Sequence, residues 1–112
     1  MSNEDLIRNA VYEAIPITIV EQIIVFGSYA RGDNTTESDT DICIIVKEKL
    51  EREKIKAYRH QLNKIFAVKH RMPTDILIKS SYDFERYKNV AGGIEYAIAN
   101  EGIVLLTQNK RK

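Results

Sequence analysis

The sequence predicts a small α/β (α+β) domain, a mixed sheet flanked by helices, and three observations carry that expectation. Short apolar runs rich in Ile and Val recur at 20–26, 41–47 and 74–79, bounded by Gly, Pro or Asp. Segments with apolar residues at helical spacing stand before and between them. At 112 residues the chain is long enough for one core and one domain.

The elements follow in order. Residues 4–14 place Leu6, Ile7, Ala10, Val11 and Ala14 on one helical face, with Asn3 as the expected N-cap and Pro16 as the stop. "VEQIIVF" (20–26) is β-branched and aromatic and ends at Gly27, which reads as a strand. "SYARG" allows one helical turn before Gly32, and "DNTTES" (33–38) is turn chemistry throughout. "DICIIVK" (41–47) is a nearly unbroken apolar strand, the kind covered on both faces. From about Leu50 to Lys69 an imperfect stripe of Ile55, Tyr58, Leu62, Ile65, Phe66 and Val68 predicts a helix. After Pro73 comes a third strand, "TDILIK" (74–79), then helices at 81–89 and 94–102 separated by Gly92-Gly93. "IVLL" (103–106) fits a short edge strand. The domain is expected over 1–106, with 107–112 a basic mobile tail that has nothing to bury.

Composition excludes several classes. Charged residues make up 29% and net charge is +1, so no global field announces a nucleic-acid partner, and direct nucleic-acid binding is not expected. Cys43 is the only cysteine, which fits a reducing compartment, and the polar start does not read as a signal peptide. No apolar run reaches the ~18 residues of a membrane span. A cytoplasmic protein is expected.

The chemistry gathers at strand ends. Asp39 and Asp41 are two apart on an extended segment, so they share a face about 6–7 Å apart. Carboxylates that close repel one another unless a cation joins them or one is protonated. An oxygen-only set suits Mg²⁺ or Mn²⁺. Asp75 is second in the third strand; beside the second strand it would complete a triad able to hold two ions ~4 Å apart. At the end of the first strand, Gly27 lets the backbone approach a phosphate, and Ser28 and Arg31, three apart, can face one anionic ligand.

On these residues the chain resembles a known family. "GSYARGDNTTESDTD" carries Gly-Ser, ten residues, then Asp-x-Asp, with the strand Asp75 following. That order is similar to the signature of the nucleotidyltransferase superfamily that includes DNA polymerase β. From about Val20 to Leu106 the chain resembles its minimal nucleotidyltransferase (MNT) proteins. The resemblance implies transfer of a nucleoside monophosphate from an NTP, ATP here, to an acceptor hydroxyl with Mg²⁺. Gly27, Ser28 and, less firmly, Arg31 would hold the nucleotide. Asp39 and Asp41 would hold the metals, and Asp75 would ligate the second metal and help activate the acceptor. MNT antitoxins of this size pair with a HEPN-domain ribonuclease toxin, so the resemblance implies such a partner, a hetero-oligomer with it, and AMP attached to its tyrosine. Two other functions stay open: an antitoxin that silences by stoichiometric contact, and a small-molecule nucleotidyltransferase of the aminoglycoside type.

Other motifs weigh less. No glycine and twelfth-position Glu follow the Asp pair as in an EF-hand, and "GSYARGDN" lacks the Gly-Lys-Ser/Thr ending of a P-loop. Lys47, Lys49, Arg52, Lys54, Lys56, Arg59, Lys64, Lys69 and Arg71 outnumber Glu48, Glu51 and Glu53 across 47–71. The run reads as a solvated helix face before it reads as a surface for an acidic partner or RNA. His60 and His70 match no metal spacing. Cys43, two residues deeper than Asp41, reads as core, and Tyr29 as packing with base stacking the alternative.

Overall fold

The computed structural model describes residues 2–32 and 39–108. Four strands form one mixed sheet in the order β3-β2-β1-β4. β1 (Val20–Phe26) pairs antiparallel with both β2 (Thr40–Val46) and β4 (Ile103–Thr107), and β2 pairs parallel with β3 (Thr74–Ser80). The apolar runs at 20–26, 41–47 and 74–79 are thus strands within one residue of their expected bounds. β2 is central and buried along nearly its whole length, as its unbroken apolar run requires.

Period-2 alternation divides the strands between two cores. Ile23, Val25, Ile42, Ile44, Val46 and Ile76 face the larger one with Ile7, Val11, Leu62 and Phe66. Those last four come from α1 (Asn3–Ala14), α3 (Arg52–Lys64) and the turn after it. Ile24, Cys43 and Ile45 face the smaller core with Phe84 and Ile98, supplied by α4 (Ser81–Tyr87) and α5 (Ile94–Glu101). Helices therefore cover both faces of the sheet. None of the described helices is long and apolar enough to cross a membrane.

Four local expectations are corrected. The N-cap of α1 is Ser2, not Asn3: the Asp5 N–H donates to the Ser2 hydroxyl at 3.1 Å, and Asn3 is already helical. The helix expected over 50–69 starts at Arg52 and gives way to a π turn over Ile65–Lys69. Within that turn Phe66 is fully buried, while Val68, two residues on and on the opposite side, is 71% exposed. The chain leaves it through Arg71, which has the left-handed φ of 54° that a bulky residue rarely takes. The edge strand runs on to Thr107, and Gln108 donates through its side-chain amide to the Ile17 and Val20 carbonyls. The expected mobile tail thus begins too early; residues 109–112 lie outside the described residues, as does the loop expected over 33–38.

Candidate active site

Strand direction brings three sequence-distant groups to one end of the sheet. The antiparallel register sets Phe26, the last residue of β1, opposite Asp41 at the start of β2. The parallel register sets Asp41 beside Asp75 at the start of β3. That pairing begins with the Thr40 N–H donating to the Pro73 carbonyl at 3.0 Å. α3 adds a tie, since the Thr74 hydroxyl lies 3.4 Å from Asn63 Oδ1. Nothing in the sequence marks Thr40, Pro73 or Asn63 for this, because the two strands are joined by a long helical crossover and meet only in the folded chain.

Alternation places Asp41 on the side of Cys43 and Ile45, toward α4 and α5. Asp41 is half-buried; Asp39, just before the strand, and Asp75 are exposed. Burial pushes the Asp41 carboxyl above its ordinary value, and the charges of Asp75 and Asp39 push it further, while Arg31 opposes them. Two carboxylates therefore act on a third that is already partly desolvated.

The glycine that ends β1 is required on two counts. Gly27 has φ +70° and opens α2 (Gly27–Arg31). A Cβ there would collide with Asp41 Oδ2 and stand 3.2 Å from its Cγ. The Asp41 side chain thus lies over the glycine. α2 closes after one turn at Gly32, φ +81°, whose N–H donates to the carbonyls of Ser28 and Tyr29. Ser28 is half-buried in this turn and Arg31 is exposed at its end, close enough to Asp41 to oppose the rise in its pKa. Tyr29 packs against the larger core and anchors the turn, so its role is packing.

The donor set contains oxygen ligands only, the chemistry that suits Mg²⁺ or Mn²⁺. Among the described residues no three His, Cys, Asp or Glu side chains converge tightly enough to make a complete metal cage. Mg²⁺ does not need one, since it binds through one or two carboxylates and takes its remaining oxygens from water and phosphate. The gathering of Asp39 and Asp75 around Asp41, whose carboxyl their charges help to raise, is the observation that fits a divalent cation here.

The sequence model of the family described as Polymerase beta, Nucleotidyltransferase matches residues 17–111. The chain belongs to that family. A crystal structure of a toxin–antitoxin with AMP-PNP shares the nucleotidyltransferase fold at a TM-score of 0.68 and 20% identity, over 96% of this chain and 75% of that one. A complex of a tri-AMPylated Shewanella oneidensis HEPN toxin with its MNT antitoxin matches at 0.59 and 18%, over 95% and 71%. At such identities the likeness is one of fold. Local sequence likeness is higher. Two Methanocaldococcus jannaschii proteins, whose names mark them as candidate protein adenylyltransferases, are 59% identical over 29 residues and 65% identical over 26. Those stretches cover 26% and 23% of this chain, and 29% and 26% of the relatives' lengths. The shared stretch is thus under a third of either relative.

Proposed function

We propose that this nucleotidyltransferase moves AMP from ATP to a hydroxyl of a partner protein, a tyrosine of a HEPN-type ribonuclease toxin, and so acts as its antitoxin in the cytoplasm. The observation that carries the reading is the register that sets Asp41 beside Asp75 and against Gly27, in a chain of this family. The local identity to named adenylyltransferases and the fold shared with MNT antitoxins point the same way.

The chain's own residues divide the work. Gly27 and Ser28 bind and orient the triphosphate at the turn after β1, and Arg31 adds a positive charge beside it. Asp39 and Asp41, with Asp75, would hold one or two Mg²⁺ ions; bound there, they neutralise the phosphates and the carboxylates together. Asp75, exposed at the sheet edge, takes the proton of the acceptor hydroxyl. The hydroxyl oxygen forms a bond to the α-phosphorus as the α–β bridging bond breaks, and pyrophosphate leaves in line.

Incubation with labelled ATP, Mg²⁺ and the protein encoded next to this one tests the reading. Label on the neighbour that disappears with the Asp39→Ala, Asp41→Ala double variant supports it; an unlabelled neighbour refutes it. The alternative reading is silencing by stoichiometric contact, with the nucleotide site regulatory or inactive. Under that reading the double variant still neutralises the toxin.

A further inference from the structure

Away from the carboxylates, the outer side of α3 carries a groove that the proposed reaction does not use. Its centre is a hollow of ≈ 560 Å³ whose floor includes Ala57, Ile65 and Val68, with His60, Lys64 and Lys69 along its margins. A second hollow of ≈ 450 Å³ joins it at Ala57 and reaches back to Leu50. A third, of ≈ 540 Å³, joins it at Val68 and reaches Arg71, Met72 and Pro73. These open hollows share Ala57 and Val68 and together form a shallow groove. It follows the exposed side of α3 and the π turn as far as Pro73, two residues before Asp75 in sequence.

Two properties single it out. Its lining exposes apolar surface: Val68, in the π turn, is 71% exposed. Five basic residues line it, Lys49, Lys54, Lys64, Arg71 and the Glu13-paired Lys69, against Glu51 and Glu53, in a chain whose net charge is only +1. An apolar floor between basic margins is complementary to an amphipathic helix whose apolar stripe is flanked by acids. Phosphodiester backbones fit it less well. No Phe, Tyr or Trp lines these hollows for bases to stack on.

We propose that this groove docks an acidic amphipathic helix of a partner protein. The inference rests on the adenylyl-transfer reading only in equating that partner with the acceptor; the docking itself rests on the groove. A partner seated there lies along α3 and reaches the end of the sheet where Asp41 and Asp75 stand side by side.

The probe is a synthetic helical peptide of about five turns, with a leucine stripe flanked by glutamates. It is added without nucleotide or metal to the ¹⁵N-labelled full chain and to its Asp41→Asn variant. Amide shifts confined to 50–73 in both, weakening as salt rises, are the expected result. Val68→Glu, at an exposed position, and Lys64→Glu should each weaken binding at least about tenfold with unchanged melting temperature. Binding in the Asp41→Asn chain makes the outcome independent of catalysis. No shifts at up to about 1 mM peptide, equal binding of a lysine-flanked control, or tighter binding of a single-stranded oligoribonucleotide to these residues would overturn the proposal.

Discussion

The carboxylate of Asp41 occupies the space in which a side chain at position 27 would begin, so Gly27 and Asp41 fit only as a pair. The sequence suggests that Gly27 clears a path for phosphate. The structure adds a nearer reason: the glycine makes room for the acid that its neighbouring strand delivers.

Gly27→Ala tests that relationship. The substitution meets both the collision and the left-handed φ, and should cost about 1–3 kcal/mol of stability. Adding Asp41→Ala removes the collision but not the backbone strain. Chemical denaturation of both single variants and the double should therefore show a favourable coupling of about 0.5–3 kcal/mol. Strict additivity would mean that the two residues do not share the space.

The pKa of Asp41 makes a second prediction, with a definite sign. Its carboxyl is raised in the folded state, by burial first and by Asp75 and Asp39 next. The stability it contributes is fully present below its ordinary value of 3.8 and is lost as pH rises through the raised value. In chelator, Asp41→Asn should match the wild type in melting temperature near pH 3 and exceed it near pH 7. A wild type that stays the more stable at neutral pH would remove the repulsion on which the site is built.

Cys43 is fully buried at the centre of the sheet, and burial pushes its thiol up to about 12. The thiolate that reacts with alkylating agents is therefore nearly absent and out of reach at pH 8. Native protein should resist iodoacetamide and become labelled only as denaturant unfolds it. Prompt labelling of the native chain would contradict the packing of β2.

The corrected cap of α1 is checked by two substitutions. Ser2→Ala removes the acceptor for the Asp5 N–H and should cost about 0.5–2 kcal/mol. Asn3→Ala should stay within about 0.5 kcal/mol of the wild type. Comparable losses would restore Asn3 as the cap.

These particulars show what the sequence makes legible. The apolar runs locate β1, β2 and β3 because burial on a pleated surface writes its pattern locally. Asp39, Asp41 and Asp75 stand out because acids at strand mouths conflict with that pattern and ask for a reason. Pairing is not local, and so the Asp41–Asp75 register and the Asp41–Gly27 contact are visible only once β1, β2 and β3 are placed side by side. The π turn escapes for a related reason. Ile65 and Val68 stand at helical spacing on paper, and only the packing of Leu62 and Phe66 into the core shows that Val68 is turned out. Ser2 and Asn3 are both good caps, and position alone cannot choose between them.

Adenylyl transfer itself is tested most directly by where the label goes. The protein and its encoded neighbour are incubated with Mg²⁺ and ATP labelled at either the α or the γ phosphorus. The account predicts stable label on a tyrosine of the neighbour from α-labelled ATP, none from γ-labelled ATP, and none from either with Asp41→Asn. Label arriving from the γ position, or α-label undiminished in the Asp41→Asn variant, would contradict it.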